Sequence, residues 1–471
     1  MAQVLLTTLF KGQKNYQVAP PLGLLTMGAV LRRAGHDVRL LDLRARLEPF
    51  APHLETLRRD PPEVLGFSAV ILEADVLRRA VAMTAEALPD TKIVVGGPYA
   101  NSNTDEVMAL PDVDAVVLGE GEVALERLLA AWARGETRPA LPGVGYPGRG
   151  EIPAPERIEE LDALPLPAWN LVDFALYHRR PRHGYLYKHR AYFSVLTSRG
   201  CPYHCVFCQC IFGHRYRTRS AAAVVGEVEA LVREHGVREI HFVDDAFNLD
   251  LDRAKAICDG IVERKLNVAI TFPAGLRADR MDDELIDKLA AAGCFKIPYG
   301  IETASPRLQA MLRKNVDLDK LRAIIDRTQR RGIVTQGFFM LGFPSETEEE
   351  VRQTMDFAVR SKLHFATFNH VNVFPGTELW TMAAAAAGKT AGYDPARCDY
   401  DDPPLHLSEV PPARMQALTR RVHLAFYCSP RRLWRIWRAL PRKRHFFGFF
   451  GLFLGKLFWF STGKENDECT K

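Results

Sequence analysis

The chain has 471 residues, 47% of them apolar and 25% charged, with 62 lysines and arginines against 57 aspartates and glutamates. This composition excludes a disordered, collagen-like or multi-span membrane chain, and the length leaves room for about three domains. The net charge of +5 is close to balance and gives no argument for a nucleic-acid partner.

The N-terminus, MAQVLLTTLF, lacks the basic segment, apolar core and small-residue cleavage site of a signal peptide, so a cytoplasmic chain is expected. Val4 to Thr8 reads as a first strand. Leu22 to Ala34 has helical periodicity and stops at Gly35. Val38 to Leu43 and Val64 to Ser68 are strand-like, and Asp75 to Leu88 is helical. Ile93 to Val95 runs into Gly96-Gly97-Pro98, and Ala115 to Leu118 into Gly119-Glu120-Gly121-Glu122. Alternating strands and helices imply an α/β domain over 1–135, a Rossmann-like doubly wound parallel sheet. Such sheets bind ligands at the carboxyl ends of their strands, where these glycines fall.

Residues 136–190 are rich in proline and glycine without sustained period and read as a linker. From 191 to 380, apolar runs recur near 192–197, 238–243, 268–272, 295–299, 333–341 and 365–373, with helical stretches between them. Ser220 is placed as an N-cap, and Gly236, Gly293 and Gly332 as helix stops. Six strands are too few for a closed eight-stranded barrel, so a partial (β/α)6 barrel is expected.

Residues 381–471 read as a mostly helical C-terminal extension. Arg431, Arg432, Arg435, Arg438, Arg442, Lys443 and Arg444 form a basic stretch, followed by the aromatic run His445 to Phe460. That run is too short, and interrupted by Lys456, to span a bilayer. Two readings stand: a helix packed on the preceding domain or covering a greasy channel, and contact with an anionic membrane surface at the inner face.

The nine cysteines are odd in number, with four inside ten residues, which points to a metal or redox site in a reducing compartment. Cys201-Pro-Tyr-His-Cys205-Val-Phe-Cys208 is a CxxxCxxC just after the first strand of the second domain. Three thiolates in one loop can cap three irons of a cubane and leave the fourth iron open. The alternatives are a zinc site that also uses Cys210, and a redox dithiol.

This motif, with Phe207 before its last cysteine, resembles the radical S-adenosylmethionine (radical SAM) enzymes. Further motifs follow in the same order: Asp244-Asp245 after the second barrel strand, Gly300-Ile-Glu302 at the fourth, and Gly337 to Glu346, containing Gly342 and Pro344, at the fifth. The resemblance implies a 4Fe–4S cluster on Cys201, Cys205 and Cys208. It also implies SAM contacts from Phe207, Asp244, Asp245, Gly300, Glu302, Gly342 and Pro344. Read without it, Asp244 and Asp245 could simply cap a turn, Glu302 could be an ion-pair partner, and Gly342 to Pro344 only a turn.

The first domain resembles the cobalamin-binding domain that precedes the radical SAM barrel in one large class. Pro20-Pro21-Leu22-Gly23-Leu24, Arg39 to Asp42, Gly66-Phe-Ser68, Val95 to Pro98 and Gly119 to Glu122 carry that likeness. It implies cobalamin contacts from Leu22, Gly23, Ser68, Gly96, Gly97, Pro98, Tyr99, Gly119 and Glu120. No DxHxxG occurs, so the lower face of cobalt is expected to carry water, nothing, or a residue such as Tyr99. A Rossmann-like domain without cofactor is the plainer alternative.

Together these resemblances imply a cobalamin-dependent radical SAM methyltransferase. Its substrate would be a small or lipid-like molecule methylated on an unactivated carbon or phosphorus, and its electrons would come from an external donor such as flavodoxin or ferredoxin. An oxidative cyclase of the same architecture and a non-catalytic cluster-containing sensor are the alternatives. No catalytic side chain is assigned.

Overall fold

In the computed structural model the described residues are 1–12, 18–180, 186–385, 405–440, 442–443, 446 and 451. Six strands form the first sheet: β1 (Gln3–Thr8), β2 (Asp37–Asp42), β3 (Val64–Ser68), β4 (Lys92–Gly96), β5 (Ala115–Val117) and β6 (Val144–Gly145). Their order is β2-β1-β3-β4-β5-β6, parallel except for the last pair. The expected doubly wound sheet is therefore present. The linker expected over 136–190 does not begin where the composition changes, because Val144 and Gly145 pair antiparallel with Val117 and Val116. A two-residue strand carries no periodicity for the sequence to reveal.

Pleating sends alternate residues of the first sheet to opposite faces. Val4, Leu6, Val64, Val94 and Val117 pack with the helix Gly121–Ala133 on one face. Leu5, Leu65, Phe67, Val95 and Val116 pack with the helix Ala74–Ala87 on the other.

The second sheet contains β7 (Tyr192–Val195), β10 (Glu239–Phe242), β11 (Ala269–Thr271), β12 (Cys294–Glu302), β13 (Val334–Leu341) and β14 (Phe365–His370). All neighbours are parallel, in the order β14-β13-β12-β11-β10-β7, so the chain builds an open six-stranded βα array. Between β7 and β10 lies a short antiparallel ribbon of β8 (Ser198–Arg199) and β9 (Arg217–Thr218).

Local signals set the helix limits. The Ser220 side chain accepts from the Ala223 amide, and Asp282 and Asp317 cap their helices in the same way. Gly236, Gly293 and Gly332 have positive φ where those helices stop. In the C-terminal part, the helices Pro412–Tyr427 and Pro430–Ala439 bury Met415, Leu418, Val422, Phe426 and Ile436 in the core of the barrel. Nearly all of the aromatic run 445–460 lies outside the described residues, as do Cys398 and Cys469.

Candidate functional site

The cysteine loop leaves β7 through the β8–β9 ribbon. It is cinched at its base: the Cys201 amide donates to the Gly213 carbonyl at 3.1 Å. At Gly200, φ is +85°, and a Cβ there would stand 2.2 Å from the Arg215 carbonyl oxygen, so only glycine fits. At its far end, Val206 donates to the Leu312 carbonyl and accepts from the Leu379 amide. Phe207 packs on Phe343 with ring centres 6.2 Å apart. The loop is thus held against the segments that follow β12, β13 and β14.

The four thiols of this loop lie close enough to feel one another's charge. Cys208 is exposed at its edge, yet desolvation by the surrounding loop, reinforced by Asp245 and the neighbouring thiols, pushes it up to about 12. Cys201 and Cys205 are raised chiefly by burial, and Arg277 and, for Cys205, Lys314 oppose the rise. Such thiols keep their protons until a metal displaces them. Among the described residues no three His, Cys, Asp or Glu side chains gather as a single metal ion requires. A cube makes a different demand, one thiolate at each of three separate corners, and the thiols of one constrained loop fit it. The Cys210 Sγ lies 2.8 Å from the Gly213 carbonyl oxygen and 3.8 Å from that of Cys201.

The residues expected at SAM fall around this loop, in unequal roles. Asp245 is exposed, and its charge reaches Cys201, Cys208 and Cys210. Asp244 is buried and accepts from the Thr197 amide and hydroxyl and from the Ser198 hydroxyl, which fixes the strand end ahead of the loop. Its second oxygen is buried with no hydrogen-bond partner among the described residues. Glu302, at φ +65°, pairs with Lys314 at 3.1 Å, and both charges reach Cys205. A Cβ on Gly300 would meet Glu302 Oε1 at 2.8 Å. Gly342 at φ +97° and Phe343 both donate to Glu346, with Pro344 half-buried beside them.

A cavity of ≈ 330 Å³ lies at the carboxyl ends of β1, β3, β4 and β5. Leu22, Gly23, Ser68, Gly96, Gly97, Pro98, Gly119 and Glu120 all line it. Its opposite wall comes from the second domain, through Leu196, Ser198, Arg199, Ile211 and Phe212. The slot therefore reaches the residues on either side of the cysteine loop.

Tyr99 is the expected residue that is not in the wall. Its ring is buried with Leu65 and Val95 on the other face of the sheet, and its hydroxyl donates to Glu106 at 2.6 Å. Tyr99 therefore does not lie beneath a cofactor in this slot. The glycines also differ in role. Gly23 has open space where a Cβ would stand, whereas a Cβ on Gly97 would strike Ser68 Oγ at 2.7 Å, with φ already +88°. Gly97 permits close packing of two strand ends, and Gly23 leaves the slot empty.

Glu120 borders the slot, but its carboxylate is engaged. It accepts from Arg199 at 2.6 Å and pairs with Arg217 at 2.5 Å, while Glu122 accepts from Arg199 at 2.6 Å. Asn101 and Arg44 were not singled out in the sequence. Asn101 bridges the Gly97 carbonyl and the Gly119 amide, and Arg44 pairs by a two-pronged contact with buried Glu73. Both line the slot. A polar residue two or more positions beyond a strand end has no pattern that marks it.

Comparison with known proteins matches residues 195–358 to the radical SAM superfamily and residues 12–129 to the B12 binding domain. A protein named as an uncharacterized methyltransferase of Pyrococcus horikoshii is 30% identical over 419 residues, covering 88% of each chain. The cytidylyl-2-hydroxyethylphosphonate methyltransferase of Streptomyces wedmorensis is 28% identical over 76% of this chain and 77% of its own. The anaerobic magnesium-protoporphyrin IX monomethyl ester cyclase of Synechocystis is 26% identical over 88% and 83%. Among solved structures, the radical SAM methyltransferase TsrM of Kitasatospora setae, with cobalamin and a 4Fe–4S cluster bound, shares the fold. Its TM-score is 0.68 at 23% identity, covering 83% of this chain and 79% of that one.

Proposed function

The chain belongs to the radical SAM superfamily, among members that carry a B12-binding domain ahead of the barrel, and from that premise we propose a cobalamin-dependent methyltransferase. The reaction is methylation of an unactivated carbon, or a phosphorus, of a small or lipid-like molecule. One observation supports this reading: the glycine-edged slot over the first sheet is walled on its far side by Ser198, Arg199, Ile211 and Phe212, the residues that flank the cysteine loop of the second.

A 4Fe–4S cluster, SAM and cobalamin, when bound, supply the radical that removes a hydrogen atom and the carrier that delivers a methyl group. The chain's own part is to hold and place them. Cys201, Cys205 and Cys208 hold the cluster. Asp245 and the Gly300–Glu302 and Gly342–Pro344 segments border the place for SAM. Phe207 and Phe343 keep that corner apolar, which excludes water from a reactive centre. Leu22, Gly23, Ser68, Gly96, Gly97, Pro98 and Gly119 line the place for cobalamin. An external one-electron donor such as flavodoxin or ferredoxin supplies the electron.

Anaerobic reconstitution tests this reading. The chain should bind iron, sulfide and cobalamin, and with a reductant should convert SAM to 5′-deoxyadenosine. Intact SAM in the presence of a full cluster would instead identify a sensor. The cyclase relative favours a second reading, oxidative cyclisation, whose product carries no added methyl group.

No helix among the described residues is long and apolar enough to cross a membrane. On the helix Pro430–Ala439, Arg431, Trp434 and Arg438 are exposed, Trp434 to 62%. A basic face with one bare indole suits an anionic lipid surface. Flotation with phosphatidylglycerol vesicles should fall in a Trp434→Ala, Arg438→Glu variant; unchanged flotation removes that contact.

A further inference from the structure

We infer that Arg199 and Arg217 are positioning residues that bolt the cysteine loop to the first sheet and so fix the separation of cluster and cobalamin. The inference rests on the cofactor reading above and extends it to two residues outside the slot's glycines and the cysteines.

The two arginines face each other at the neck of the loop, where Arg199 pairs with Arg217 and Ser198 with Thr218 in the β8–β9 ribbon. Both side chains are more than nine-tenths buried, and so are those of their partners Glu120 and Glu122. Those glutamates sit at the end of β5 and the start of the helix Gly121–Ala133, in the other domain. Arg199 uses one prong for each glutamate, and Glu120 uses one oxygen for each arginine. The quartet is therefore neutral and interlocked. A planar guanidinium held by two carboxylates has one geometry, which a lysine cannot reproduce.

Cys201 lies two residues beyond Arg199, within about 7 Å of chain. Gly200 between them is wedged against the Arg215 and Gly213 carbonyl oxygens and cannot swing. The Arg199 guanidinium also stands 5.2 Å from the ring centre of Phe212, which lines the slot. Any shift of Arg199 thus moves the first cysteine and one wall of the slot together. Buried ion quartets contribute little net stability compared with apolar packing, so what this one supplies is fixed geometry.

The test uses the full chain loaded with cluster and cobalamin, reduced so that the cluster and cob(II)alamin are both paramagnetic. Pulsed dipolar EPR reads the distance between them in wild type, Arg199→Lys and Glu122→Gln. Wild type should give one narrow distance. Arg199→Lys should give a shifted or broadened distribution and weaker cobalamin binding, with iron content and circular dichroism unchanged. Glu122→Gln leaves the Arg199–Glu120 bond in place and should show a smaller change of the same kind, which keeps the test open if Arg199→Lys does not fold. Distances and cobalamin affinities equal to wild type in the folded variants would overturn the inference. A wild-type chain that fails to take up cluster or cobalamin would overturn the cofactor reading itself.

Discussion

Arg199 Nη1 donates to Glu120 Oε2 at 2.6 Å, joining the base of the cysteine loop to the end of a strand 79 residues earlier. Burial alone would lower the Arg199 pKa, but the Glu122 and Glu120 carboxylates together hold it above its ordinary value. Removing one member of such a group leaves a buried charge uncompensated. Arg199→Met should therefore destabilise by about 3–5 kcal/mol, whereas replacing all four charged residues with apolar ones of similar volume should cost far less. Urea denaturation of the two variants measures the difference, and equal losses would contradict it.

The three motif cysteines and Cys210 should separate cleanly. Alanine at Cys201, Cys205 or Cys208 should abolish stoichiometric iron and sulfide. Among the described residues Cys210 bonds to the Cys201 and Gly213 carbonyl oxygens, so Cys210→Ala should keep the iron and lose on the order of 1 kcal/mol. Iron and sulfide analysis after anaerobic reconstitution decides the assignment. Loss of iron in Cys210→Ala would make it a fourth ligand.

Two glycines of the slot should respond differently. Gly23→Phe projects into open space and should abolish cobalamin binding with little change in melting temperature. Gly97→Ala meets Ser68 Oγ in a left-handed backbone and should lower stability by about 1–3 kcal/mol. Absorbance titration with hydroxocobalamin and thermal melting give the two readouts. Unaltered binding in Gly23→Phe would show that the slot is not the cobalamin site.

Acid should act first through His364. Burial, with Arg435 and Arg432 nearby, depresses its pKa to about 3, and its Nδ1 accepts from the Thr335 amide at 3.1 Å. The folded chain thus binds fewer protons than the unfolded chain between about 3 and the ordinary 6.5. Stability is full above that window and falls as pH drops through it, by up to about 1.4 kcal/mol per pH unit. Glu350, held at about 2 mainly by Arg307, adds a second loss below its ordinary 4.5. His364→Asn keeps an acceptor for Thr335 and should remove the loss between pH 6.5 and 4.5. An acid profile identical to wild type would contradict this.

The sequence was most legible where local rules decide the outcome. Strand–helix alternation, Ser220 and the stop glycines placed these elements to within a few residues, because caps and turns depend on near neighbours. The cysteine spacing and the glycines at strand ends could be seen for the same reason. Tyr99 was misplaced because one step along a helix start turns a side chain to the other face of the sheet, and only packing with Leu65 and Val95 shows which. Glu120 lines the slot as expected, but its pairing with Arg199 and Arg217 could not be read, because those arginines lie in a different domain. Long-range ion pairs leave no periodic trace, and the two-residue strands β6, β8 and β9 leave none either.

The account turns on three thiolates that leave one iron open. Its most direct test is the EPR spectrum of the reduced cluster, in chain prepared without cobalamin, before and after SAM is added. The account predicts a 4Fe–4S signal whose g values shift on SAM addition, as the open iron takes up the amino and carboxylate groups. A signal that SAM leaves unchanged, or zinc in place of iron, would contradict it.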